Sequence, residues 1–188
     1  SCGHPDGMNS TTGKCDECGK LLAVASVTTI DGTVYYTDIH AAFDAAKVSD
    51  GGTLTLLQDV TLDENDNIYI APGNFAETYT FTIDWNGYIL SGNTGVNLLT
   101  FSGRTNVTLK DNDSNAGGVR NEYTVSNYFG DHIGGIAICV SVQGGYCVAI
   151  EGGTYSAQVL KYDCSGDLKI KGGVFVNPAA PPVRYAIF

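Results

Sequence analysis

An all-β solenoid, in which short strands stack turn upon turn, is the fold class this sequence predicts. Three observations point there. Charged residues are only 16% of the chain against 43% hydrophobic, while 24 glycines and 11 tyrosines imply many tight turns between strands. Short runs with strand alternation recur at a common spacing. A single stretch carries helical periodicity.

The recurrence begins with Val107-Thr-Leu-Lys-Asp111, Val148-Ala-Ile-Glu-Gly152 and Leu168-Lys-Ile-Lys-Gly172, which superimpose, and Phe81-Thr-Ile-Asp-Trp85 shares their pattern. First and third residues are apolar and the second and fourth mostly polar, as in a strand with one buried face. The step from 148 to 168 is 20 residues, and the step of 41 from 107 to 148 reads as two of the same size. Leu98, Cys139 and Val159 each open an apolar run nine residues upstream of these strands. Gly152-Gly153-Thr-Tyr and Gly172-Gly173-Val-Phe follow in phase. A period near 20 marks a solenoid in which each turn buries its inner face on its neighbours, with Val107, Leu109, Val148, Ile150, Leu168 and Ile170 as inward rungs. Roughly six or seven turns are expected from that period. A β-sandwich would leave the in-phase repeat unexplained.

Upstream of the repeat the chain divides into smaller parts. Residues 1–20 hold Cys2, His4, Cys15 and Cys18 among polar residues and cannot build a core, so they need a staple. Residues 21–37 read as a β-hairpin, Ala25–Ile30 and Thr33–Tyr36 flanking Asp31-Gly32, a dipeptide favoured in two-residue turns. The main module spans 38–188 and opens with a helix over 38–48, capped by Thr37 or Asp38, with Ile39, Ala42, Phe43 and Ala46 on one face.

Thr53–Val60, Phe81–Leu90, Asn106–Asp111, Ile150–Tyr155 and Ile170–Phe175 together resemble successive coils of the pectin-lyase-like modules found in large surface proteins of Gram-positive gut bacteria. The likeness covers about residues 38–178. It implies a right-handed parallel β-helix whose open N-terminal end is covered by the helix, where bare strand edges would otherwise invite aggregation.

Cys2-x-His4-x10-Cys15-x2-Cys18 is the strongest chemical motif. Three thiolates and an imidazole suit tetrahedral zinc, and four protein ligands make a closed, structural site. Disulfides are the competing reading for an exported protein. Cys139, Cys147 and Cys164 do not stack on one another in the 20-residue register and are expected to be free thiols. A run from Asp111 to Glu122 places oxygens at several positions of a calcium-loop template. It departs from that template at Ala116, which stands where glycine makes the turn, and in following a strand, so an Asx-rich turn is the preferred reading over calcium.

Catalysis finds few candidates. Hydrolases of the resembling fold need paired carboxylates and its lyases need calcium-binding aspartates with a basic residue. Of three histidines, His4 is assigned to zinc, His40 to the capping helix and His132 to an Asp-His-Ile-Gly-Gly loop. Asp84, Lys110, Glu151 and Lys171 alternate in sign at outward positions and read as a surface ladder. The chain is therefore expected to be no enzyme.

Recognition is placed instead on a long insertion, Asn112–Gly135, with Arg120, Tyr123, Tyr128, Phe129, Asp131 and His132 as binding residues. The expected partner is a host glycoprotein, glycan or immunoglobulin, the last suggested by the resembling surface proteins. A polysaccharide lyase or hydrolase fragment is the alternative, and exposed tyrosines with Trp85 are candidate sugar-stacking platforms. A net charge of −10 argues against nucleic acid. No apolar run is long enough to insert in a membrane. Composition points to an extracellular, cell-surface setting, and the lack of a signal pattern at Ser1 with an apolar end at Phe188 reads as part of a longer chain.

Overall fold

Alternating apolar residues and polar corners build three parallel sheets around one interior. The structure, a computed structural model, describes residues 7–112, 115–126 and 132–176. The chain opens with strands β1 (Ala25–Thr29) and β2 (Gly32–Tyr36) and helix α1 (Ile39–Lys47). It then travels in rounds. The first is β3 (Thr53–Leu56), β4 (Val60–Thr61) and β5 (Ile68–Ile70); the second is β6 (Tyr79–Asp84), β7 (Ile89–Gly92) and β8 (Asn97–Gly103). The third holds β9 (Thr105–Lys110), β10 (Gly118–Asn121), a side hairpin of β11 (Thr124–Ser126) and β12 (His132–Gly134), and β13 (Ile136–Val142). The fourth is β14 (Cys147–Ile150), β15 (Thr154–Ser156) and β16 (Gln158–Lys161), and β17 (Asp167–Ile170) with β18 (Val174–Val176) starts a fifth.

Each round adds one strand to each sheet in the same order. Sheet order is β17-β14-β9-β6-β3-β1-β2 in the first, β18-β15-β10-β7-β4 in the second and β16-β13-β8-β5 in the third. All neighbours from β3 onward in these sheets are parallel. Like residues therefore stack. Leu54, Ile83, Leu109, Ile150 and Ile170 form one ladder, Val60, Leu90, Val119, Tyr155 and Phe175 a second, and Ile68, Leu99, Ile138 and Val159 a third. Most of these side chains are fully buried, each contributing roughly 1.5–3 kcal/mol by leaving water.

Four expectations need correction. Val107 pairs directly with Val148, so the 41-residue step is one round and not two, and the described residues make four rounds and part of a fifth. The extra length is insertion, which a repeat count cannot distinguish from a missing coil. Upstream, the rung is Leu99, Ile138 and Val159, not Leu98, Cys139 and Val159. Apolar pairs sit at both sites, and a bulge between Ile136 and Ile138 shifts the register against β16. The hairpin turn falls on Ile30 and Asp31, because Thr29 pairs with Gly32, which leaves Ile30 wholly exposed. Among the inward rungs, Ile170 is 40% exposed and Leu168 half-buried, since both lie on the last strand of their sheet.

At the other end the stack is closed differently. β1 pairs antiparallel with β3 and β2, so the hairpin extends the first sheet instead of standing apart. Asp38 caps α1 by accepting from the backbone N–H groups of His40 and Ala41, and the expected apolar face of Ile39, Ala42, Phe43 and Ala46 joins the core. This is the helix among the described residues, and it is too short to cross a membrane.

Corners between the first and second sheets are locked by side chains. Asn86 donates to the Leu56 carbonyl, Asp59 accepts from Ile89 N–H, Asp111 accepts from the N–H groups of Gly87 and Gly117, and Asn115 accepts from Gly153 N–H. Inside that corner Trp85 is fully buried. Its Nε1–H donates to Tyr155 Oη at 3.0 Å, and the Tyr155 hydroxyl donates to the Gly152 carbonyl at 2.8 Å. The Tyr155 ring stacks on Phe175. Trp85 is thus an interior strut and no sugar platform.

Burial pushes the Tyr155 phenol far above its ordinary range, against the smaller opposing effect of the Trp85 hydrogen bond. A group raised in this way contributes stability that is intact below the unfolded phenol pKa near 10 and is lost as pH climbs above it. Urea denaturation from pH 9 to 11 will show a component falling by about 1.4 kcal/mol per pH unit above pH 10 in the parent and absent from Tyr155→Phe. Equal slopes in both proteins would contradict it.

Gly118 supplies a second test. A Cβ there would sit 1.9 Å from the Thr154 carbonyl oxygen of the next round. Gly118→Ala is expected to cost more than about 3 kcal/mol, whereas Gly73→Ala, with ordinary space around it, will stay within about 0.5 kcal/mol by the same denaturation.

Candidate binding site

Sequence reasoning placed recognition on Asn112–Gly135, but β10 lies inside that span as a full member of the second sheet. The chain leaves the stack only after Asn121. Asn121 is completely buried; its Nδ2 donates to the carbonyls of Thr94 and Ile136 at 3.0 and 3.1 Å, and its Oδ1 accepts from the N–H groups of Thr94 and Tyr123. One amide therefore ties the second round to both feet of the insertion. Gly135 N–H donates to the Tyr123 carbonyl at 2.7 Å, and β11 runs antiparallel to β12, so the excursion is a hairpin standing on a pinned base.

The proposed binding residues separate accordingly. Arg120 is exposed on β10, a scaffold strand, with its guanidinium 3.8 Å from Glu122. Tyr123 is half-buried, its ring against Gly95, and so serves partly as packing. Tyr128, Phe129 and Asp131 lie outside the described residues, and His132 is placed through its backbone, opposite Ser126.

Of the zinc motif, Cys2 and His4 lie outside the described residues. Cys15 is buried and Cys18 exposed, joined by a tight turn in which Gly19 N–H donates to the Cys15 carbonyl. Gly13 packs this segment against Tyr35 and Ala23, docking it on the hairpin. Among the described residues no three His, Cys, Asp or Glu side chains gather to hold a metal. Of the calcium template's residues, Asp111 accepts from Gly87 N–H of the preceding round and Gly117 N–H of its own, Asn115 accepts from Gly153 N–H of the next, and Asp113 lies outside the described residues.

Cys139, Cys147 and Cys164 are free thiols. Two of them are neighbours after all. Burial raises the Cys139 thiol pKa and the nearby Cys164 raises it further, while Cys164 Sγ lies 3.5 Å from the Val140 carbonyl. The two do not stack in register, since Cys139 pairs with Leu160 and Cys164 lies beyond the end of β16.

The alternating charges do pair, Lys110 with Asp84 at 3.4 Å and Lys171 with Glu151 at 2.7 Å, but Asp84 is buried, where it also accepts from Asn86 N–H and Asn112 Nδ2, and so is no surface residue as expected. His40 Nε2 meets Asp66 at 2.7 Å in an acidic cleft beside α1. Two of that cleft's four carboxylates are employed structurally, Asp38 as helix cap and Asp59 as corner lock. Sequence reasoning overlooked a groove formed by Asn74, Phe75, Arg104 and Gln143, although a bare phenylalanine within Pro-Gly-Asn-Phe-Ala was a readable signal.

No family model, curated protein or solved structure matches the chain.

Metal analysis tests the N-terminal motif directly. A four-ligand site predicts about one zinc per chain, falling at least tenfold in affinity in Cys18→Ser; less than about half an equivalent in the parent would refute it.

Proposed function

We propose that this chain is a right-handed parallel β-helix module of a bacterial cell-surface protein, akin to the pectin-lyase-like modules it resembles, and that it binds a host macromolecule without catalysing a reaction. Support for the architecture comes from three parallel sheets that each gain one strand per round. Crossovers between parallel strands are right-handed in about 98% of cases, which favours that hand here. An N-terminal knuckle closed by zinc on Cys2, His4, Cys15 and Cys18 completes the reading.

A single observation carries the functional part: the hairpin β11–β12 interrupts an otherwise regular stack and rises from a base fixed by Asn121. A rigid scaffold holding one irregular, aromatic-rich excursion is a common recognition design. Arg120 on the adjoining strand and Tyr123 at the base flank it, and Tyr128, Phe129, Asp131 and His132 complete the proposed surface. The partner is a host glycoprotein, engaged through its glycan or as protein in the manner of an immunoglobulin.

Capture from host mucus proteins tests this reading. The intact chain is expected to retain a mucin or an immunoglobulin, and replacing Tyr123, Tyr128 and Phe129 together by alanine to reduce capture at least tenfold with unchanged urea midpoint. Undiminished capture would move the site elsewhere. Cleavage of uronate polymers that vanishes in His132→Ala would replace the proposal with an enzymatic one.

A further inference from the structure

The corner between the third and first sheets carries features that the scaffold does not explain. Asn74 and Phe75 follow β5, Gly103 and Arg104 join β8 to β9, and Gln143 follows β13, so three successive rounds contribute to one groove of about 130 Å³. Backbone bonds fix the layers, with Tyr79 N–H donating to the Arg104 carbonyl and Gln143 N–H to that of Gly103.

The protein carries a net charge of −10, and Lys47, Lys110, Arg120, Lys169 and Lys171 each have a carboxylate partner. Arg104, like Lys14, Lys20 and Lys161, has none within ion-pair distance among the described residues. Its guanidinium is nonetheless held in place. Nε donates to Tyr146 Oη at 2.6 Å, a terminal nitrogen donates to the Phe75 carbonyl, and the group lies over the Tyr146 ring at 5.5 Å. Three of five N–H donors remain for a ligand, in a fork that matches a carboxylate.

Phe75 is the second feature. Its ring is 82% exposed although the loop beneath it is ordered by Asn74, whose Oδ1 accepts from the N–H groups of Ala76 and Glu77 and whose Nδ2 donates to Glu77 at 2.6 Å. An aromatic ring presented beside a positioned guanidinium offers a flat apolar face and an anion clasp together. The exposed Gln143 amide adds a donor and an acceptor at the groove's edge. Glu77 close by and the negative charge of the whole chain disfavour a dianion.

The geometry points to a binding site for a pyranose bearing one carboxylate, with the carboxylate on Arg104, the sugar face on Phe75 and a hydroxyl on Gln143. A few fixed polar groups beside an apolar face are what orient a small ligand. This site is separate from the insertion and stands or falls without it.

Amide shifts of the full 188-residue chain report the outcome. Titration with methyl β-glucuronide and with the methyl glycoside of N-acetylneuraminate will tell which placement of the carboxylate fits, and methyl β-glucoside is the uncharged control. At least one acid is expected to give saturable shifts at Gly103, Arg104 and Gln143, with the glucoside at least about tenfold weaker. Phe75→Ala removes an exposed ring and should weaken the acid about tenfold without altering the fold, and Gln143→Ala should weaken it less. Arg104→Lys, which keeps the charge but loses the fork, should also cost about tenfold. Alanine at Tyr123, Tyr128 and Phe129 should leave these shifts unchanged. Absence of saturable shifts with both acids, equal affinity for the glucoside, or a Phe75→Ala variant that binds as the parent does would overturn the site.

Discussion

Every round of this chain must turn three corners while its backbone hydrogen bonds run only along the stack. A strand can satisfy its N–H and C=O groups on the rounds before and after it, but a corner residue points some of them where no neighbouring strand follows, and a buried unpaired backbone group costs about 1–3 kcal/mol. Asn and Asp side chains take up that burden. Asn86, Asp111 and Asn115 link the corner beyond the first sheet from one round to the next. Asn121 does so beyond the second sheet, and Asn106, accepting from Cys147 N–H, beyond the third. These residues stand mostly at points where the chain turns and carry much of what makes the turning permissible.

The interior adds a second constraint, since each rung rests on the corresponding rung of the next round. Alternation in sequence shows which residues point inward, and the rungs of Val107, Leu109, Val148 and Ile150 were legible for that reason. Alternation is silent where two apolar residues adjoin, as at Leu98-Leu99 and Ile138-Cys139, and there the register slipped by one. It is also silent on length. An insertion and an extra round both lengthen a period, so the 41 residues from Val107 to Val148 read as two steps until backbone pairing showed one. Trp85 was misplaced although it follows Phe81 and Ile83 at the same two-residue spacing and shares their buried face; its hydrogen bond to Tyr155, 70 residues later, satisfies the indole there.

Sites are harder to read than rungs because stacking assembles them from distant residues. Asn74, Arg104 and Gln143 sit roughly one round apart in the chain and meet only because their rounds are superimposed. No local motif joins them, and only the bare Phe75 was visible in advance. The insertion was legible from its polar and aromatic, loop-like composition, but its near boundary was not, since Gly118–Asn121 resembles loop sequence while pairing on both sides as strand. Tyr123 illustrates the remaining ambiguity: an aromatic residue in an insertion satisfied the sequence criterion for a contact, and its ring is partly spent on Gly95.

The two ends of the stack differ in how they are closed, and this bears on where the structure is firmest. At the N-terminal end an antiparallel hairpin and the apolar face of α1 cover the first round, so Leu54, Leu56 and Phe43 are among the most buried side chains. Toward the other end Ile170, Val174 and Val176 are part-exposed, each resting on a preceding round alone among the described strands. In a repeat stack stability is a sum of rounds and the contacts between neighbours, so rounds with neighbours on both sides hold best. The insertion departs from the third round and the Arg104 groove spans the first three, which puts both surfaces on that firmer part. Side chains fixed in this way lose less freedom on meeting a ligand than those at a fraying edge, which is the physical ground for proposing both surfaces on this part of the stack.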